Sequence, residues 1–108
     1  MPPDLEQPLR ITSGREGDVA VLTLAGELDP HTAPALAEEL DDAIGGGATT
    51  VVLQLAELSF IDSSGLRVVI SAHRRLDEAG GRLVLRTPSD TVRRLLEITG
   101  LLDHIEIE

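Results

Sequence analysis

No cysteine occurs in this chain, which removes disulfides, thiol nucleophiles and thiolate metal sites at once. Aromatic residues are nearly missing too: Phe60 stands alone, with no Trp and no Tyr. Stacking on nucleic-acid bases needs rings, so that mode of recognition has almost nothing to work with. Leu, Ile, Val and Ala must fill the interior, a palette that suits helices packed on a sheet. Basic residues are few, 9 against 19 acidic, for a formal charge of −10 at neutral pH. Phosphate backbones attract the opposite balance. An acidic surface steers a protein toward a basic partner surface or simply keeps it soluble, and acidity alone does not choose between the two. No apolar run approaches the roughly 20 residues that span a bilayer. The start, Met1-Pro2-Pro3-Asp4-Leu5-Glu6, has no basic region followed by an apolar core, the pattern of a signal peptide. A cytoplasmic protein is the expectation.

What is present fits one domain: 108 residues, 42% of them hydrophobic. Residues 1–8 read as a short disordered lead and 9–108 as a single domain. Leu9 to Thr12 alternates like an edge strand and Val19 to Gly26 is a clear strand, the short polar link between them predicting a hairpin. Glu27 to Thr32 reads as a loop. A helix over Thr32 to Ile44 carries Leu36, Ala37, Leu40, Ala43 and Ile44 at three- and four-residue spacing, and Gly45-Gly46-Gly47 stops it. That glycine run follows a helix and precedes a strand, the wrong order for a phosphate-cradling loop. Thr49 to Leu55 reads as a buried parallel strand with both faces covered. A second helix runs from Ser63 to Ala79 with Leu66, Val69, Ile70, His73 and Leu76 on one face; Arg82 to Arg86 is the next strand. Ser89 or Asp90 caps a third helix carrying Val92, Leu95, Leu96 and Ile98, which stops at Gly100. The tail His104 to Ile107 alternates like a short last strand. The order β-β-α-β-α-β-α, with that last strand, predicts an α/β fold with a mixed sheet of four to five strands, covered by helices through right-handed crossovers.

Where the third strand hands over to the second helix stands Leu58-Ser59-Phe60-Ile61-Asp62-Ser63-Ser64-Gly65-Leu66. A serine nucleophile needs a base within hydrogen-bond reach. His73 lies about ten residues after Ser63, roughly 15 Å along a helix, too far to touch it; His31 and His104 approach only if the fold brings them. Asp-Ser-Ser-Gly is also not the Gly-x-Ser-x-Gly elbow of hydrolases. Three scattered histidines give no metal-ligand spacing. No cofactor is expected.

Two readings of the serine pair remain. Asp62 or Ser63 can cap the helix by accepting from its free N–H groups, worth about 1 kcal/mol. A cap needs one polar residue, however, and here three are followed by Gly65, which near a helix start costs about 1 kcal/mol relative to Ala. That combination points to close approach of the backbone. Helix N-termini also tolerate anions, so a phosphoryl group fits there. It would add about −1.5 to −2 charge next to Asp62. Burying such a charge unpaired in an interface costs about 3–5 kcal/mol, a loss of roughly 10² to 10⁴ in affinity. One covalent event can thus dismiss a partner. Glu27-Leu28-Asp29 is a second strand-to-helix junction, and such junctions gather at the carboxyl ends of strands. Asp29 is therefore a candidate neighbour of Ser63, a cap for the first helix beside Pro30, or both.

At these residues the sequence resembles the STAS family (sulfate transporter and anti-sigma factor antagonist domains), and within it the small single-domain anti-sigma factor antagonists. Leu24 to Asp29, Val51 to Leu66 and Arg93 to Leu101 carry the match, and Leu58 to Leu66 is the specific part. The resemblance implies partner switching, not catalysis. The unmodified antagonist binds an anti-sigma factor that is also a serine kinase, so that a sigma factor is released. The kinase, supplying ATP, then inactivates the antagonist by phosphorylation at the position of Ser63, and a phosphatase restores it. Asp29, Asp62, Ser63, Ser64, Gly65 and Leu66 correspond to the partner-facing surface. Neither nucleic acid nor membrane insertion belongs to this reading. The alternative within the family is a STAS scaffold or transporter-accessory subunit that docks through the same face without phosphorylation. Outside it stands a nucleotide-binding or weakly hydrolytic protein, for which no phosphate loop is present.

Overall fold

A computed structural model describes residues 8–100 and 103–108 of the chain. The chain opens with β1 (Leu9–Glu16) and β2 (Val19–Leu28), an antiparallel hairpin. Its link is the pair Gly17-Asp18, with Gly17 at a φ of 60°, the left-handed geometry that lets a tight turn follow the twist of two strands. Three crossovers follow: α1 (Ala33–Gly45) to β3 (Thr50–Ile61), α2 (Ser63–Glu78) to β4 (Arg82–Arg86), and α3 (Asp90–Thr99) to β5 (Glu106–Ile107). Each new strand adds parallel to the one before, giving a mixed five-stranded sheet in the order β1-β2-β3-β4-β5. The α/β class, the element order and the short last strand are as the sequence predicts.

All three crossovers advance the same way across the sheet, so right-handed connections put all three helices on one face. Packing agrees. Leu22, Leu24, Val51, Leu53, Leu83 and Leu85 from the strands share one buried cluster with Leu36 and Leu40 of α1, Leu66, Val69 and Leu76 of α2, and Val92 and Leu96 of α3. Each such side chain contributes about 1.5–3 kcal/mol on burial. The expectation that both faces of β3 are covered holds at Val52, 3% exposed on the opposite face, and only in part at Thr50 and Gln54 beside it, which are half-buried. Val52 points the other way, in register between Val21 and Val84. That second face is bordered by the ion pairs Arg82–Glu106 and Arg86–Glu108.

Several boundaries differ from the pattern in the sequence. β1 continues to Glu16 although Thr12 to Glu16 are exposed, because pairing with β2 carries the backbone to the turn. The residues 1–7 of the expected lead lie outside the described residues. Pro8, its last member, is held: its carbonyl accepts from the Glu27 N–H at 2.7 Å. On α3 the sequence expectation put Ile98 on the apolar stripe, yet it is 74% exposed. It lies six residues beyond Val92, roughly 240° around the helix. On α2 the buried line is Gly65, Leu66, Val69, Ala72 and Leu76; Ile70 and His73 flank it half-buried. His73 Nδ1 is buried without a hydrogen-bond partner among the described residues.

The largest difference prepares the site. β3 was expected to end at Leu55 and runs on to Ile61, and β2 runs on through Glu27 to Leu28. Register between them slips twice, between Thr23 and Ala25 and between Gly26 and Glu27, with the extra residue in β3 each time. These bulges convert the two-residue rhythm of β3 into buried Leu55, Leu58 and Ile61 at three-residue spacing. They also turn Ser59 and Phe60 outward; the single aromatic ring is 44% exposed. Two hydroxyls pin the bulged segment: Ser59 Oγ donates to the Gly26 carbonyl and Ser89 Oγ to the Leu58 carbonyl, both at 3.0 Å.

Candidate functional site

The site is built where β2 and β3 end side by side. Leu28 pairs with Ile61, and the Asp62 N–H donates to the Leu28 carbonyl at 3.1 Å. The Asp29 junction and the Asp62-Ser63 junction are thereby brought to one edge, the carboxyl ends of two adjacent parallel strands, where open sheets usually take their ligands and partners.

Asp29 leads into α1 through a closed turn. Its Oδ1 accepts the N–H groups of His31 at 2.9 Å and Thr32 at 3.0 Å. In return the Asp29 N–H donates to Thr32 Oγ1 at 2.9 Å, and that hydroxyl donates to the Glu27 carbonyl at 2.9 Å. Partial desolvation pushes the Asp29 carboxyl up. The N–H groups of Thr32 and His31, the Thr32 hydroxyl and the His31 charge together outweigh it, and the carboxyl is held below its ordinary value. Of the two roles open to Asp29, capping is thus realised, though of the turn before α1 and not of its first residue. Thr32, 7% exposed, is the buried peg of this turn. The sequence reading missed it because a Thr two residues after a Pro looks like an ordinary helix start.

The second junction has no such turn. β3 ends at Ile61, Asp62 is extended, and Ser63 is already the first residue of α2. Asp62 Oδ1 accepts the Gly65 N–H at 3.1 Å, so of the two capping candidates Asp62 does the work. That leaves Ser63 exposed, its hydroxyl without a hydrogen bond among the described residues. Ser64 is half-buried at the groove between α1 and α2, beside Ala37 and Val68. The two neighbouring hydroxyls are therefore not equivalent: one faces solvent at a helix start, the other faces a neighbouring helix.

Gly65 and Leu66 were expected on the partner-facing surface, and the structure buries both. A Cβ on Gly65 would lie 2.6 Å from Leu28 Cδ2 and Cγ and 2.9 Å from Ile61 Cγ1. The close approach that a glycine here signals is made by the protein's own strand ends, which lets α2 start directly over them. Leu66 packs with the core at 8% exposure. Asp29, Asp62, Ser63 and Ser64 remain within reach of the edge, joined by Phe60.

Chemically, this edge offers a free hydroxyl, a helix start and two carboxylates. His31 enters the same edge but makes no side-chain hydrogen bond to Ser63 among the described residues. No group of three or more His, Asp or Glu side chains with the spacing of a metal site occurs among the described residues. No helix among them is long and apolar enough to cross a membrane.

The chain is similar to known proteins over most of its length. An anti-sigma-B factor antagonist from Listeria monocytogenes is 39% identical over 94 residues, which cover 87% of this chain and 82% of that protein. The anti-sigma factor antagonist SpoIIAA in its unphosphorylated form superposes with a TM-score of 0.80 at 33% identity, covering 92% of this chain and 88% of its own. The Bacillus cell fate determinant SpoIIAA in the phosphorylated form gives 0.74 at 30% identity, covering 92% and 91%. The STAS domain profile matches residues 10–108, and the chain belongs to the STAS domain family.

Proposed function

We propose that this protein is an anti-sigma factor antagonist that works by partner switching at Ser63. The observation that carries the reading is the bare junction: an exposed serine hydroxyl, without a hydrogen bond among the described residues, at the first residue of a helix whose cap is already supplied by Asp62. Its relatives include SpoIIAA in both an unphosphorylated and a phosphorylated form, which supports a fold that carries phosphate without being lost. The unmodified protein binds an anti-sigma factor through the strand-end edge and so releases a sigma factor. The anti-sigma factor is also a serine kinase. It supplies ATP and transfers the γ-phosphoryl group to Ser63 Oγ, ADP leaving as the hydroxyl proton is lost. A phosphatase returns the serine. The antagonist needs no cofactor and no catalytic group of its own, and the exchange takes place in the cytoplasm.

The switch is electrostatic. A phosphate adds about −1.5 to −2 charge beside Asp62, on a chain already at −10. Left unpaired in an interface it costs about 3–5 kcal/mol, or roughly 10² to 10⁴ in affinity. The test is to incubate the purified chain and Mg-ATP with each serine-kinase anti-sigma factor encoded in the same genome. One of them is expected to add a single phosphate, mapped to Ser63 by mass spectrometry, and to leave Ser63→Ala unmodified. Modification at Ser64 instead, or full affinity of Ser63→Asp for that kinase, overturns the proposal. A chain that docks on its partner but carries no phosphate in any growth state belongs to the scaffold or transporter-accessory reading.

A further inference from the structure

Every basic residue of this chain is an arginine, and three of the nine lie on α2. Ser63, Arg67, Ile70 and Arg74 are spaced i, i+4, i+7 and i+11, so they form a single solvent-facing stripe along the helix. They line one open groove of about 580 Å³, closed at its far end by Glu78. Arg75, at its side, is committed to Asp41. Arg67 and Arg74 are exposed and make no ion pair among the described residues. Between them sits the half-buried Ile70. On a chain of charge −10 this is a cationic line with an apolar centre, and it begins at Ser63.

We propose that this stripe receives an acidic segment of the anti-sigma factor: two carboxylates about 10 Å apart, matching the seven residues from Arg67 to Arg74, with an apolar side chain between them over Ile70. Guanidinium groups pair with carboxylates bidentately, which fixes register as well as charge. The inference rests on the Ser63 reading and adds the chemistry of the partner to it. It also places the phosphate. Four residues, about 6 Å of helix, separate Ser63 from Arg67. A phosphoryl group on Ser63 lies within reach of the Arg67 guanidinium and withdraws it from the partner's carboxylate, while repelling that carboxylate directly. The net attraction of the groove falls from two free cations to about none. The switch then acts by taking Arg67 from the partner and by repelling the carboxylate left facing it.

Two arms test this. With the anti-sigma factor that phosphorylates Ser63, Arg67→Glu and Arg74→Glu are each expected to weaken binding about tenfold, with thermal melting unchanged because both side chains are exposed. Replacing the facing carboxylate of the partner by Arg is expected to restore Arg67→Glu. Affinities within twofold of the parent overturn the proposal. The second arm does not depend on the Ser63 reading. A synthetic helical peptide with two glutamates seven residues apart and a leucine midway is titrated into the full chain and followed by NMR. Saturable shifts of the Arg67 and Arg74 Nε–H groups and the Ile70 methyls are expected, weaker in 0.5 M salt and lost with glutamine in place of glutamate. Silence at those groups overturns the groove. Peptide binding with no anti-sigma factor bound would retain the groove and sink the partner-switching reading. Self-association of the chain that disappears in Arg67→Glu would make a second copy the occupant and overturn the assignment to an anti-sigma factor.

Discussion

The two strand-to-helix junctions at the site begin alike and end differently. After Leu28 the chain closes a hydrogen-bonded turn in which Asp29 and Thr32 exchange bonds, and α1 starts at Ala33. After Ile61 it enters α2 with Asp62 alone between strand and helix. In the first junction the side chains answer one another. In the second, Asp62 answers Gly65, and the neighbouring Ser63 hydroxyl makes no hydrogen bond among the described residues. The difference separates frame from open surface: polar groups that bond one another hold geometry, and an exposed hydroxyl that no described protein group holds can be reached from solvent.

The largest effect should separate the junctions by function. Ser63→Asp is expected to weaken anti-sigma factor binding roughly 10² to 10⁴-fold with little change in melting temperature, read by calorimetric titration. Asp29→Asn, in the closed turn, should retain most of the affinity. Gly65→Val tests what lets the open junction lie against the closed one. Its added carbons meet Leu28 and Ile61, and overpacking is expected to remove about 1–3 kcal/mol of stability in urea titrations. Thr32→Val attacks the closed turn by leaving the Asp29 N–H and the Glu27 carbonyl unpaired near the interior. A loss of about 1–2 kcal/mol is expected by the same measurement.

Asp62→Ala removes the cap of the open junction, for about 1 kcal/mol, and should speed amide exchange in the first turn of α2. The smallest effect is the pH dependence of the closed turn. Because the folded Asp29 carboxyl sits below its ordinary value, its contribution is complete above that ordinary value and fades as pH falls through it toward the folded one. The stability difference between wild type and Asp29→Asn should be constant near neutrality and shrink in acid. A difference that grows as pH falls would reverse the role given to those hydrogen bonds.

Much of this was legible in the sequence because the hydrophobic rhythm is strong. The stripes of α1 and α2 and the strand Arg82–Arg86 come directly from spacing. The last six residues of β3 were hidden for a physical reason: two bulges break the alternation that marks a strand, so Leu58 to Ile61 looks like a loop. Ile98 misled in the opposite sense, an apolar residue on the polar side of α3. At the site, a glycine amid polar residues signalled close approach correctly, and the approaching group turned out to be Leu28.

Sequence alone determined the element order, the aliphatic core, the acidic surface and the presence of two polar strand-to-helix junctions, since each depends on neighbours along the chain. Only the tertiary structure decided that the two junctions share an edge, that Ser63 faces outward while Ser64 faces α1, and that Gly65 is sealed beneath them. Those outcomes depend on the register between β2 and β3 and on how closely α2 settles over their ends. Both are set by contacts between residues more than thirty positions apart, such as Asp62 with Leu28 and Ser59 with Gly26.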